Sequence, residues 1–348
     1  MQSGRGQPSG SNVDTVSGPW AQPTSARAKK STWSTHQSAS YLNAFDAIKR
    51  TTDSTNSSGP LRVVFLGQRV YFGPTSLPRK SPGLEATFVD HTWGEDPADT
   101  LQAISSIRPH LVVAYRPEKL GDVLTQMRDV LRIGFFPEPA ATPGGPKHPD
   151  LNHRLAELQE VDPNSCDIFF GFNPLFADAW NSVVDLAGCM PLPVRDDIYI
   201  DPNRIGIPST DQGIFVGRVT DRRNDYLLSL KHHFNWTVVD HGLRSLADIS
   251  IAVNLRNENY PNYENRVSLH LARGHLLLTE PVQPTYELHE GLNLLNFASP
   301  QELLDLARSI EHDAEPFHPI AIRGRLSADS FRATSLWPDR FVDLAASL

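Results

Sequence analysis

Cysteine is nearly missing from this chain: Cys166 and Cys189 are the only two. They show neither the spacing of a metal site nor the framework of a disulfide-held secreted domain, and they read as buried thiols in a reducing compartment. Long apolar runs are missing too. None approaches the roughly eighteen residues that a membrane span needs, and the N-terminus has no signal-peptide core, so no transmembrane segment is expected and cytoplasm is the default. Positive charge is in deficit, with a net charge of -8 and a pI near 5.9. That gives no global attraction for a nucleic-acid backbone and leaves only a local basic groove for one. Three nucleotide signatures are absent as well. The turn after LRVVFL reads GQRVYFG rather than G-x-G-x-x-G, no G-x-x-x-x-G-K-[ST] loop occurs, and no Asp-x-Asp pair follows a strand. Hydride transfer, P-loop hydrolysis and diphosphate holding through a divalent metal all lose support. His232 and His233 are adjacent and cannot share a helix face, and His148 and His153 lack a further ligand at metal spacing. The histidines therefore predict no metal site, and no cofactor is expected.

What is present is a long alternation of apolar runs and helix-like stretches, preceded by a tail. Residues 1–60 are crowded with Ser, Thr, Gly, Gln and Pro. They are too poor in apolar groups to offset chain entropy, which predicts a disordered low-complexity tail. Within it, YLNAFDAIKR places Tyr41, Phe45 and Ile48 on one face of a short helix, and Arg27, Lys29 and Lys30 form a small basic cluster that reads as solvated. From Leu61 onward, LRVVFLG, ATFVD, HLVVAY, LRIGFF, CDIFFG and CMPLPV read as buried strands. The helices expected between them are PADTLQAISSI, GDVLTQMRDVL, DLNHRLAELQE and PLFADAWNSVVDLA. After a polar, Pro-containing stretch a second strand series follows: GIFVGR, WTVVD, ISIAVNL, HLLLT and NLLNF. A chain of 348 residues exceeds what one core usually organises. The expected fold class is therefore α/β, with two Rossmann-like domains facing across a cleft. The boundaries are 61–193 for the first domain, 194–212 for a linker, 213–335 for the second domain, and 336–348 for a C-terminal helix crossing back.

The most informative stretch is residues 247–310: strand ISIAVNL, polar loop RNENYPNY, helix ENRVSLHLAR, Gly274, strand HLLLT, helix PQELLDLARSI. This order puts the start of the middle helix at the carboxyl end of a parallel sheet, where free N–H groups and the helix dipole favour an anion. Asn265 and Arg266 fall in its first turn, and a guanidinium there adds two donors to a phosphate. Glu264 has two readings, helix start or ligand contact. Arg218, behind the strand FVG, is placed for a leaving diphosphate, with Arg222 and Arg223 as weaker candidates. Tyr260 and Tyr263 are candidates for the pocket wall or, equally, for core packing.

These residues carry a resemblance. NYENRVSLHLARGHLLLTEPVQPTYELHEGLNLLNFASPQELLDLARSI is similar to the donor-binding half of GT-B glycosyltransferases, in particular the bacterial family like spore-maturation glycosyltransferases. The matching positions are Arg266, Ala272, Gly274, Ser299, Pro300, Glu302 and Leu303, and GIFVGR is similar to that domain's first strand and phosphate loop. The resemblance implies a GT-B fold and a metal-independent glycosyltransferase moving a sugar from a nucleoside-diphosphate donor to an acceptor hydroxyl. The donor-binding candidates are Arg218, Glu258, Tyr263, Glu264, Asn265 and Arg266, of which Arg266 is also a position that the resemblance matches. One departure stands out: Leu269 occupies the place of the Glu implied to hold the donor ribose, and leucine accepts no hydrogen bond. Glu264 and Glu258 are the nearby substitutes.

An inverting reaction also needs a base from the first domain, for which Glu138 is the first candidate and His153 and Asp90 follow. The loop EPAATPGGPKHPDLN frames the acceptor side, and Trp93 and Trp180 are candidates for stacking on sugar rings. The partners expected are a nucleotide sugar and an acceptor that is a glycan, a lipid or a small molecule. Nucleic acid is the minor alternative, as in a sugar transferase acting on modified DNA. A non-catalytic nucleotide- or carbohydrate-binding relative and a sugar-nucleotide epimerase share the expected architecture.

Overall fold

The computed structural model describes residues 60–346 apart from 78–79, 82, 143, 146, 212, 234–235, 240–249, 258–259 and 261. The expected tail, its short helix and its basic cluster lie outside the described residues, as does Glu258.

Among the described residues, two sheets organise the chain. The first has seven strands in the order β2-β3-β1-β4-β5-β6-β7, and the second has five in the order β12-β11-β10-β8-β9. The first comprises β1 (Leu61–Gly67), β2 (Lys80–Ser81), β3 (Leu84–Asp90), β4 (Leu111–Tyr115), β5 (Leu131–Phe136), β6 (Ile168–Gly171) and β7 (Leu186–Cys189). The second comprises β8 (Gly213–Val216), β9 (Trp236–Val239), β10 (Ile251–Asn254), β11 (Leu276–Thr279) and β12 (Leu295–Asn296). Every pairing is parallel except the short β2 against β3. Parallel strands bury both faces, which is why β1, β4 and β10 are built mainly from apolar residues.

Seven helices of eight or more residues are described: α1 (Pro97–Ile107), α2 (Pro149–Leu158), α3 (Asp221–Ser229), α4 (Asn265–Ala272), α5 (Pro300–His312), α6 (His318–Ser327) and α7 (Ala333–Ala346). Their starts follow local chemistry. Asp96 accepts from the Ala98 amide at 2.9 Å ahead of α1, and Ser299 accepts from the Glu302 amide at 3.2 Å ahead of α5. The Glu302 carboxylate reaches back to the Ala298 amide at 2.8 Å, one residue ahead of the cap, so the two side chains each take up an amide at the helix start. The S-P-x-E-L part of the resemblance is thus a helix-start device with Leu303 buried beneath it.

Two expected helices are shorter than their apolar spacing implied. GDVLTQMRDVL keeps its helix only over Gly121–Leu124, because Leu131 is taken into β5. PLFADAWNSVVDLA holds a 3-10 turn and the helix Ala177–Asn181, and its end supplies β7, displacing the strand expected at CMPLPV. Short apolar runs carry no period long enough to separate helix from strand, and neighbours on the sheet decide.

Between β7 and β8 the chain passes from one core to the other: Met190 and Leu192 are buried in the first, and residues from Val194 onward in the second. Val194 and Ile198 are buried with Ile214, Val267 and Leu271. Ile200 and Ile205 lie against Gly274, where φ is +75° and an added Cβ would meet Ile205 at 2.8 Å. A residue without Cβ is required there both for the left-handed turn after α4 and for this close packing. At the far end of the chain, α7 leaves the second sheet. Ala333, Trp337 and Phe341 sit in the core of the first, and Trp337 Nε1 donates to the Thr75 carbonyl at 3.0 Å.

Candidate functional site

Each sheet reverses its strand order once, and the carboxyl ends of the strands beside that reversal form a crevice. In the first sheet the reversal lies between β1 and β4; in the second it lies between β8 and β10. The two crevices meet in a cleft of about 610 Å³. From the first sheet it is lined by Gln68 and Tyr71 after β1, Trp93 after β3, Arg116 after β4 and Glu138 after β5, with Asp150 and Arg154 from α2. Asn257, Tyr260, Asn262, Tyr263, Glu264 and Asn265 line it from the second. Asn257 Nδ2 donates across it to Asp150 Oδ2 at 3.2 Å, and the buried Asn173 donates to Asn262 Oδ1 at 3.2 Å and to the Gln283 carbonyl at 3.0 Å.

The start of α4 opens on this cleft without a side-chain cap. Among the described residues, the amides of Asn265 and Arg266 have no acceptor outside the helix. Glu264 therefore does not serve as a helix cap. Its carboxylate pairs with Arg266 and stands 3.8 Å from Arg223.

Arg266 is placed differently from the expectation. Its guanidinium turns inward beneath the cleft, with Nε donating to Asn254 Oδ1 at 2.6 Å, Nη1 to the Val216 carbonyl at 2.7 Å and Nη2 to the Leu255 carbonyl at 3.3 Å. Burial, and after it the neighbouring Arg223, push its pKa well below the ordinary arginine value. The approach is so close that a Cβ on Gly217 would lie 2.5 Å from Nη1. Arg223 donates to the carbonyls of Leu255 at 3.0 Å and Arg218 at 2.9 Å. Beside it the buried Glu280, directly after β11, holds Arg222 at 3.0 Å, the Arg256 amide at 2.8 Å and the Arg256 guanidinium at 3.3 Å. Arginines thus gather at the reversal of the second sheet, with Glu264 standing between them and the cleft. Nothing in the sequence pattern marks Arg256 and Glu280 except their place, Glu280 directly after β11 and Arg256 two residues after β10.

The remaining expected residues divide. Tyr263 borders the cleft, with its ring buried edge-on to Tyr286 at 4.7 Å and its hydroxyl pKa raised by that burial. Arg218 is exposed and does not line the cleft. Leu269, in the place of the ribose-holding Glu, is buried in the apolar cluster with Val194 and Phe331. On the opposite wall Glu138 lines the cleft, with its carboxylate 3.5 Å from Arg154. His153 is exposed on the outer side of α2 and pairs with Glu157 at 3.3 Å, while Asp90 is exposed and accepts from the Arg69 amide at 2.8 Å. Neither lines the cleft. Trp93 does, whereas Trp180 is fully buried against Phe136 and Phe172.

The first-sheet wall holds an ionic cluster that the sequence did not reveal. Arg116 adopts a left-handed backbone (φ 60°, ψ 62°), and its guanidinium lies 4.5 Å over the Trp93 ring. It donates to Glu118 at 2.6 Å and to Glu157 at 2.6 Å, and Lys119 adds a pair to Glu157 at 2.8 Å. Burial raises the Glu118 pKa against the pull of Arg116. Burial also works to raise Glu157, but Lys119, Arg116 and Arg154 hold it below the usual carboxylate value. Among the described residues no group of three or more His, Cys, Asp or Glu is placed to hold a metal ion, and no helix is long and apolar enough to cross a membrane.

No protein-family model matches the chain, and no curated protein sequence does either. Solved structures do match in fold. An α-glucosyltransferase in complex with UDP-glucose and DNA containing an abasic site is similar with a TM-score of 0.52, at 8% identity, over 83% of this chain and 100% of that one. HepE of Anabaena in complex with UDP-glucose is similar with a TM-score of 0.51, at 10% identity, over 82% and 100%. Sucrose-phosphate synthase of Thermosynechococcus elongatus is similar with a TM-score of 0.50, at 12% identity, over 88% and 93%. The fold is that of the GT-B glycosyltransferases: two Rossmann-like parallel sheets with facing carboxyl ends.

Proposed function

We propose that the protein is a metal-independent glycosyltransferase that moves a sugar from a nucleoside diphosphate to an acceptor hydroxyl. The observation that carries this reading is the uncapped start of α4, opening on the cleft with arginines gathered behind it. When the bond between anomeric carbon and phosphate oxygen breaks, the electron pair stays on the diphosphate. Peptide dipoles fixed at that point, in a site shielded from water, stabilise the new charge. The acceptor oxygen bonds to the anomeric carbon and gives up its proton, and in an inverting reaction Glu138 on the facing wall receives it. In this reading residues 61–193 carry the acceptor, 213–335 the donor, and 194–212 join them. Arg266, Asn265, Glu264 and Tyr263 belong to the donor side. The narrower likeness to spore-maturation glycosyltransferases rests mainly on Arg266, since Ser299, Pro300, Glu302 and Gly274 have structural duties of their own.

A non-catalytic nucleotide binder is the second reading, favoured by the buried Leu269 where a ribose-binding carboxylate was expected. UDP-glucose, the ligand in the HepE complex, separates the two. A transferase releases UDP from it and does so faster with acceptor. A binder raises the melting temperature through mass action and releases nothing. Absence of both effects, across uridine, guanosine, adenosine and thymidine diphosphate sugars, removes the donor site altogether.

A further inference from the structure

The wall facing α4 has a chemistry of its own. Its cationic groups are already matched: Arg116 with Glu118 and Glu157, Lys119 with Glu157, and Arg154 with Glu138. Asp150 lines the same wall. Among the described residues of this wall no surplus positive charge is left to attract a phosphate, a carboxylate or a polyanion. Hydrogen-bonding capacity remains nonetheless. Arg116 is buried, and its Nε and Nη2 are taken by Glu118 and Glu157, so Nη1 is left without a protein partner among the described residues. Glu138 keeps about a third of its side chain exposed, at 36%. Gln68 adds an amide. Between these polar groups stand two aromatic rings, Trp93, which Arg116 backs at 4.5 Å, and Tyr71, which is 45% exposed. The left-handed backbone at Arg116 points the same way, because such conformations in residues other than glycine gather at ligand sites.

We infer that this wall binds a neutral saccharide, and that a sugar hydroxyl of that saccharide is the acceptor. A pyranose offers an apolar C–H face for an aromatic ring and a rim of hydroxyls, each both donor and acceptor. Fixed carboxylate, amide and guanidinium groups satisfy such a rim without any net charge on the ligand. A lipid would need a continuous apolar surface, and this wall is interrupted by ion pairs. A DNA acceptor would need unmatched cations along the cleft, whereas both its walls carry carboxylates, Asp150 and Glu138 on one and Glu264 on the other. As an acceptor site the wall depends on the transfer reading above; as a saccharide site it stands without it.

The test uses the full chain and two independent titrations. In one, UDP, GDP, ADP and TDP are titrated by calorimetry. In the other, methyl glucoside and maltose are compared with glucose 6-phosphate, glucuronate and a short DNA duplex, followed by tryptophan fluorescence and calorimetry. The neutral sugars are expected to bind more tightly than their charged counterparts, with no dependence on salt. Glu138→Gln and Trp93→Ala should each weaken them fivefold or more while the melting transition persists, and Trp93→Phe should abolish the fluorescence change. Tighter binding of the anionic sugars or of DNA overturns the inference. Neutral-sugar binding that both variants leave untouched overturns it too, by placing the sugar elsewhere. UDP binding with no sugar binding overturns it and spares the transfer reading. Sugar binding without binding of any of the four nucleoside diphosphates supports the saccharide site and sinks the transfer reading, and binding of neither kind of ligand sinks both.

Discussion

Gly217 and Arg266 are packed so closely that the two positions act as one: φ at Gly217 is +136°, and a Cβ there would stand 2.5 Å from Nη1 of Arg266. Nη1 is held on the Val216 carbonyl at 2.7 Å, so the guanidinium has little room to yield. Gly217→Ala is expected to cost about 1–3 kcal/mol from backbone strain alone and to push Arg266 off its acceptors. A lower urea midpoint together with weaker UDP binding is the expected pair of results. A lower midpoint with unaltered UDP affinity would show that Arg266 serves only the fold.

Glu264 tests the direction of that linkage. Its carboxylate pairs with Arg266 and lies near Arg223, where the phosphate of a donor would compete with it. Glu264→Gln is therefore expected to tighten UDP binding about fivefold, roughly 1 kcal/mol for one partly exposed ion pair. Calorimetry decides. Weakened binding would instead show that the carboxylate itself grips the donor, in the part that Leu269 leaves unfilled.

A pH dependence follows from His270 and His275, both buried, with their Nδ1 atoms 3.1 Å apart. One ring must donate and the other accept, so the two rings cannot both be protonated. Burial first, and then His275 and Arg266, lower the His270 pKa well below its ordinary value. In the unfolded chain a histidine takes up its proton near pH 6.5, while in the folded chain His270 resists it. The unfolded state then binds more protons, so stability is flat above about pH 7 and falls below about pH 6.5, by up to about 1.4 kcal/mol per pH unit for this group. Urea unfolding at pH 8, 7, 6 and 5.5 measures it, and His270→Gln should flatten the decline.

Trp337 ties the end of the chain to the first core. It is fully buried, 5.4 Å from Phe65 and 5.8 Å from Phe135 by ring centroids, and donates to the Thr75 carbonyl. Trp337→Ala is expected to cost about 3–5 kcal/mol, the usual penalty for emptying a site of this size. Because α7 follows the second sheet in sequence yet packs in the first, the loss should also separate unfolding of the two sheets. Probes of secondary and tertiary structure, coincident in the parent chain, should then give distinct transitions.

The architecture could be read from local patterns. Runs such as LRVVFLG and HLLLT, alternating with capped amphipathic stretches such as SPQELLDLARSI, admit few arrangements other than doubly wound parallel sheets. The start of α4 was legible for the same reason, since its N–H groups are left free by the geometry of any helix. What no local pattern contained was the direction of each long side chain. Arg266 turned inward because the carbonyls of Val216 and Leu255, from two other strand ends, lie within its reach. Trp93, Arg116 and Glu138 come from three separate connections, with Arg154 on the helix that follows Glu138, and they meet only because the loops of one parallel sheet all emerge at its carboxyl edge. Periodicity records which face of an element is buried, and that is a property of neighbours along the chain. The assembly of a binding wall depends on residues brought together across distances that only the folded sheets supply.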